Sequence, residues 1–248
     1  MRIDCSVSLI ERARFTYPSN PPRDYTAADL AMILARNRFE GAIVVGQLDN
    51  PAETDWLMEL AGQHPWIVGI LTRVSERTHW DRWQTNKKFL GVESPPLDDA
   101  RELAERHLVC VLPPAQGLVA LESAPELRLA VRAMAGLSFA EAEYDDWAKS
   151  LEALRSTPAL MQIDGLLNLA GQDGWDAATY RPWVRSIIET FGAGRVAFGS
   201  GWPLSMPRYI WKESLACFTQ AMGARGMEER EMILGENAAR FYSGCNRS

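Results

Sequence analysis

The sequence predicts an α/β protein of the (β/α)8, TIM-type barrel class, and three observations carry that prediction. Short apolar runs suited to strands recur eight times, helical segments with start and stop signals separate them, and the series fits within about 200 residues. Eight alternations of this kind suit a closed ring of parallel strands joined by helical crossovers better than an open doubly wound sheet. With 248 residues and 47% apolar side chains the chain can bury a full core. No linker or repeat divides it, so residues 1–248 are expected to form a single domain.

The predicted strands are, in order, RIDCSVSL (2–9), GAIVVG (41–46), WIVGILTRV (66–74), FLGVES (89–94), LVCVLP (108–113), LRLAVRAM (127–134), ALMQIDGL (159–166) and RVAFGSGW (195–202). After the first strand, TAADLAMILARNRF places apolar residues three and four apart behind an N-cap-like Thr26. NPAETDWLMELAGQHP opens with Pro51 after Asn50 and ends on a glycine and a proline, the expected order of helix signals. Residues 204–241 read as the last helices closing the barrel.

Composition excludes several function classes. The formal net charge is −6 and the lysines and arginines are scattered, which argues against a nucleic-acid partner. No apolar segment reaches the roughly 18 to 20 residues needed to cross a bilayer. Asp4 and Glu11 interrupt the start of the chain where a signal peptide needs an apolar stretch, so a cytoplasmic protein without a membrane partner is expected. The expected partner is a small-molecule substrate or ligand, and assembly into a homo-oligomer is left open. Cys5, Cys110, Cys217 and Cys245 lie far apart with no C-x-x-C pair and read as free thiols, Cys245 in a tail expected to fray. His64, His79 and His107 are the only histidines, little material for an imidazole-built metal site.

In barrels of this class the chemistry sits at the C-terminal ends of the strands. That rule selects Asp4, Ser6 and Ser8 on strand 1, Arg73 on strand 3, Glu93 on strand 4, Met134 on strand 6, Gln162 and Asp164 on strand 7, and Ser200 or Gly201 with Trp202 on strand 8. Alternation places Ser6 and Ser8 on one face, Gln162 and Asp164 on one face, and Cys5 pointing away from Ser6.

Several stretches then resemble one family. RPWVRSIIETFGAGRVAFGSGWP, followed by ILGENAARFY, resembles the C-terminal signature of amidohydrolase-related proteins, in the branch of sugar lactonases and 2-pyrone-4,6-dicarboxylate lactonase. RIDCSVS resembles the start of that family and NPAETDWLMELAGQHPWIVGIL its second crossover with the third strand, so the likeness spans residues 2–242. The resemblance implies a distorted (β/α)8 barrel acting on small lactones, amides or carboxylated rings, with a divalent metal polarising the carbonyl or activating water. This chain departs from the pattern at the ligands. Where the family reads I-D-x-H-x-H, IDCSVS places Ser6 and Ser8 in the histidine slots; the sixth-strand histidine falls near Met134; and FGSGWP places Gly201 where the family has a metal-binding aspartate. Serine and methionine are poor ligands for a water-activating zinc. No metal and no other cofactor is therefore expected.

Two carboxylates remain as candidates for acid–base chemistry, Asp164 and Glu93. Burial in an enclosed mouth would raise the pKa of either unless Arg73 or Arg132 paired with it. Asp164 could equally cap a helix or hold a structural arginine. Asp4 reads more readily as a brace between strands than as a catalytic group. Ser6 and Ser8 lack a neighbouring histidine and read as hydrogen-bond donors to a ligand or the core. Cys5 reads as a packed thiol, and Cys110 as a packed thiol with a reactive alternative. Trp80 and Trp83, three apart after strand 3, could form an apolar lid or simply pack their helix. Arg73 could clamp an anionic ligand or form a surface ion pair. Gln162, Met134, Gly201 and Trp202 complete the expected substrate-binding set. The leading expectation is a metal-independent enzyme acting on a small cyclic or carboxylated metabolite by hydrolysis, lactone chemistry, isomerisation or cyclisation. The alternatives are an inactive barrel that binds a metabolite or partner protein, and a metallo-hydrolase that draws its ligands from His107, Asp4 and Asp164.

Overall fold

A computed structural model of the protein describes residues 1–169, 174–204 and 208–243. All eight predicted runs form strands: β1 (Ile3–Val7), β2 (Gly41–Val45), β3 (Ile67–Thr72), β4 (Phe89–Glu93), β5 (Val109–Leu112), β6 (Arg128–Arg132), β7 (Leu160–Asp164) and β8 (Val196–Gly199). They pair in parallel in sequence order. The seam between β8 and β1 is joined just past the strand ends, where Gly201 N donates to Ser6 O at 3.0 Å and Ser8 N donates to Trp202 O at 2.7 Å. The result is a (β/α)8 barrel. Strands such as GAIVV are buried along their whole length, because both faces are covered.

The helices around the ring are α1 (Ala27–Arg36), α2 (Pro51–Gln63), α3 (Arg77–Trp83), α4 (Ala100–Glu105), α5 (Pro114–Ser123), α6 (Glu141–Leu154), α7 (Ala177–Phe191) and α8 (Trp211–Met222), with α9 (Met227–Glu231) and α10 (Asn237–Ser243) after it. The cap signals read from sequence act as expected. The Thr26 hydroxyl accepts from Asp29 N at 3.2 Å while the Asp29 carboxylate accepts from Thr26 N at 2.9 Å, a reciprocal box. Asn50 caps α2 through Ala52 N at 3.0 Å, with Pro51 in the first turn. Among the described residues, no helix is long and apolar enough to cross a membrane. Cys245 lies outside the described residues.

Two cores result. One fills the space between strands and helices. The other fills the barrel with Ile3, Cys5, Ile43, Val45, Val109 and Val111, and is floored by α10, which sends Ala238 and Tyr242 into it. Gln162 on β7 donates to the Tyr242 hydroxyl at 2.6 Å, tying floor to wall. The segment leading into α10 passes so close to β1 that a Cβ on Gly235 would lie 2.2 Å from Ile3 N, and only glycine fits there.

Candidate active site

The C-terminal ends of the strands bring together a chain of five polar side chains. Arg73, just beyond β3, donates to Glu93 Oε1 at 2.9 Å; Arg132 Nη1, on β6, donates to the same oxygen at 2.8 Å. Across the mouth, Arg132 Nε and Nη2 lie 3.1 and 3.0 Å from Asp164 Oδ2 on β7, and the Ser6 hydroxyl on β1 donates to that oxygen at 3.0 Å. Glu93 and Asp164 are 3% and 6% exposed, so the ion pairs are shielded rather than solvated. Asp164 first, then Glu93, pushes the Arg132 guanidinium pKa further above its usual range, against the opposing effect of burial. One oxygen of each carboxylate carries the ion pairs; the other, Glu93 Oε2 or Asp164 Oδ1, is left with at most a 3.5 Å contact to Arg132 Nε among the described residues. Arg73 Nε is buried without a partner.

The remaining candidates are placed elsewhere. Strict alternation fails on β1, where the register shifts between Asp4 and Val7. The irregularity puts Cys5 and Ser6 together on the inner side, both close to the position a side chain at Gly199 would take, so Cys5 does not point away from Ser6. Asp4 faces outward instead, fully buried, accepting from Ser200 N at 2.9 Å and from the Trp211 indole of α8 at 2.7 Å. Burial raises its pKa to about 6 despite those bonds. It braces β1, β8 and α8. Ser8 donates to Val45 O and accepts from the Gln47 amide at the rim of β2. Gln162 turns down to Tyr242, away from the mouth. Met134 is 1% exposed in the outer core, because it lies in the turn after Arg132, the last residue of β6. Trp202 packs edge-on against Tyr25 at 5.5 Å in the same outer layer.

Trp80 and Trp83 are the packed face of α3. Trp80 is 0% exposed with its indole bonded to Val74 O at 2.9 Å, and Trp83 is bonded to Asp55 at 2.8 Å, so neither forms a lid. Arg73 is not a surface pair, since its partner is the buried Glu93. Cys110 lies in the outer core, and burial pushes its thiol up to about 12, the reverse of a reactive cysteine. Burial also raises Cys5 well above the thiol range.

Three participants escaped the sequence reading. Arg132 was legible only as a cation for pairing; counting inward from Ala130 by twos along β6 would have placed it at the mouth. Glu53, on the inner face of α2, is 0% exposed, and its Oε2 accepts from Gln47 N and Leu48 N at 2.9 Å each, which fixes the turn that carries Gln47 to Ser8. Asn168 follows β7, and its amide lies beside Gly201. Gly201 itself has φ +67, and a Cβ there would lie 2.6 Å from Gly165 Cα and 2.9 Å from Asn168 Nδ2. The slot in which the resemblance expects an aspartate is thus filled from the end of the neighbouring strand, β7.

A model of the amidohydrolase family matches residues 111–244, more than half of the sequence. The chain belongs to the amidohydrolase family. Among its relatives, this amidohydrolase is 24% identical over 261 residues to L-fucono-1,5-lactonase of Burkholderia ambifaria, covering 89% of this chain and 86% of that one. Its fold matches a Burkholderia multivorans amidohydrolase solved with bound zinc, at TM-score 0.82 and 21% identity over 98% of this chain and 99% of that one. It also matches a probable 2-pyrone-4,6-dicarboxylic acid hydrolase from Acinetobacter baumannii solved with citric acid bound, at TM-score 0.77 and 15% identity over 97% and 98% of the two chains.

The divalent ion that the family implies does not fit this mouth. Among the described residues, no three His, Cys, Asp or Glu side chains converge on one point. Asp4 is turned outward to Ser200 and Trp211, and His107 precedes β5, at the opposite end of the barrel from Asp164, so those three cannot share an ion. The two carboxylates that do converge already hold a guanidinium between them. At about 4 Å and an effective dielectric of about 20, unit charges of like sign repel by roughly 4 kcal/mol, and a divalent ion would double that.

Proposed function

We propose that this amidohydrolase acts without a metal on a small cyclic, carboxylated metabolite, opening or closing a lactone-type ring, with Asp164 and Glu93 moving the protons. The observation that carries this reading is the shielded chain from Arg73 through Glu93, Arg132 and Asp164 to Ser6, in which each carboxylate keeps one oxygen with no cation nearer than 3.5 Å among the described residues. In the opening direction, Asp164 takes a proton from water as the oxygen adds to the ring carbonyl. It returns that proton to the ring oxygen as the C–O bond breaks. Glu93, on the other side of the Arg132 guanidinium, is the second proton carrier. Ser6 positions Asp164, and the Arg73 side chain, 34% exposed beside Glu93, suits a ligand carboxylate. The lactonase and pyrone-hydrolase names of its relatives favour a lactone over an amide.

The test is ring opening of coumalate, a pyrone carboxylate, and of L-fucono-1,5-lactone by protein purified without added metal. Turnover of either, with kcat/KM falling by about 10² to 10⁴ in Asp164→Asn, is expected. The second reading is an inactive barrel that binds such a ligand, and the pairing of both carboxylates with arginine favours it. It predicts no turnover and the same ligand affinity in wild type and Asp164→Asn.

A further inference from the structure

The guanidinium of Arg132 has five N–H groups, and the structure accounts for three. Nε and Nη2 reach Asp164, and Nη1 reaches Glu93. Two N–H groups, one on each terminal nitrogen, have no partner among the described residues. The side chain is 25% exposed, so this unsatisfied end is within reach of a ligand. A fixed cation held by two carboxylates, with open positions left for an incoming oxygen, has the electrical layout of a metal centre built from one side chain.

We propose that Arg132 is the resident cation of this mouth: it replaces a divalent ion between Glu93 and Asp164, and its two free N–H groups receive the carbonyl or carboxylate oxygen of the ligand. Three observations converge on this. The positions that the family resemblance assigns to metal ligands carry Ser6, Ser8, Met134 and Gly201 here, and the last is sterically filled by Gly165 and Asn168. The Ser6 hydroxyl, in one histidine slot, bonds the same Asp164 oxygen as the guanidinium does, which puts Arg132 within one hydrogen-bonded step of that slot. Finally, the arrangement is neutral as it stands, with Arg73 and Arg132 balancing Glu93 and Asp164, so a further cation would have no counter-charge. Lysine would not reproduce it, because an ammonium is a point charge without the planar fork that spans two carboxylates and still presents N–H groups outward.

The catalytic part of this inference rests on the function proposed above, but the cation exchange does not, and the two are separable. Arg132→Ala and the larger Arg132→Gln leave Asp164 without its cation and Glu93 with Arg73 alone, so the mouth carries one uncompensated negative charge. Thermal unfolding and calorimetric titration with manganese, zinc and guanidinium chloride, each at millimolar concentration or below, read the exchange with no substrate present. Wild-type protein is expected to take up none of the three at this site. At least one soluble variant is expected to regain several degrees of Tm with guanidinium or a divalent ion, and to lose that gain when Asp164→Asn is added. Stoichiometric metal uptake by wild type, or no cation response in whichever variant folds, overturns the proposal. With coumalate as probe, Arg132→Gln should lower affinity at least tenfold, with partial recovery by guanidinium. Unchanged affinity in Arg132→Gln removes the ligand-binding part, and wild-type binding without turnover removes only the enzymatic reading.

Discussion

Glu53 is a carboxyl group with no exposed surface and one oxygen, Oε1, without a partner. Burial pushes its pKa up from 4.5 to about 7, outweighing the Leu48 and Gln47 N–H groups and the attraction of Arg73. Asp4 is raised in the same way, from 3.8 to about 6. In both, the folded protein holds a proton that the unfolded chain has lost, so stability falls as pH rises between the unfolded and folded pKa values. A shift of this size corresponds to up to about 3 kcal/mol for each group. The expected outcome is a protein measurably less stable to urea at pH 7.5 than at pH 5, the loss for Glu53 falling between 4.5 and about 7. Glu53→Gln should flatten that part of the profile; an unchanged slope would exclude Glu53 as its source. Single residues were legible where strand position alone decides the surroundings, as for Glu93 and Asp164 at the last positions of β4 and β7. They were not legible where a local irregularity intervenes. The shift in β1 turns Asp4 outward and brings Cys5 and Ser6 inward together, and no propensity in IDCSV announces it.

The end of β8 shows how one element can keep a family outline while changing its chemistry. Gly201 sits in the left-handed region, its N–H closes the barrel seam on Ser6, and its missing side chain leaves room for Gly165 and Asn168. Gly201→Asp is therefore expected to cost about 1–3 kcal/mol in denaturant unfolding and to create no metal site by titration, because strain and the close Gly165 backbone oppose it. A stable variant that bound zinc would show the slot to be open after all. The two tryptophans of α3 belong to the same scale. Their spacing of three was compatible with a lid or a packed face, and what the sequence lacked was the partner: Val74 O for one indole and Asp55 for the other. Trp80→Ala should cost about 3–5 kcal/mol, the range for emptying a buried aromatic site, read by the same unfolding measurement.

Taken as one molecule, the barrel was readable because its signal is repeated eight times, and errors of one or two residues at strand ends do not disturb the alternation of strand and helix. Long-range ties were not readable, since they join positions far apart in the chain. Trp211 reaching Asp4 from α8 is one such tie. Trp211→Phe removes the donor, leaves a buried carboxylate oxygen unpaired and is expected to destabilise the whole barrel by about 1–3 kcal/mol; a two-state unfolding curve shifted without loss of cooperativity would register it. The floor of the barrel is another. With Tyr242 and Ala238 packed among the inner strand residues and Gln162 bonded to the floor, the barrel interior is filled and closed from below, and the Arg132 guanidinium lies at the other end, above that core. A ligand at Arg132 would therefore enter and leave by the same side. On the function proposed above, a product beside Arg132 would occupy the place of the next substrate, so inhibition by product is expected to be competitive in steady-state kinetics, and the rate of departure would set a ceiling on turnover that faster proton transfer could not lift.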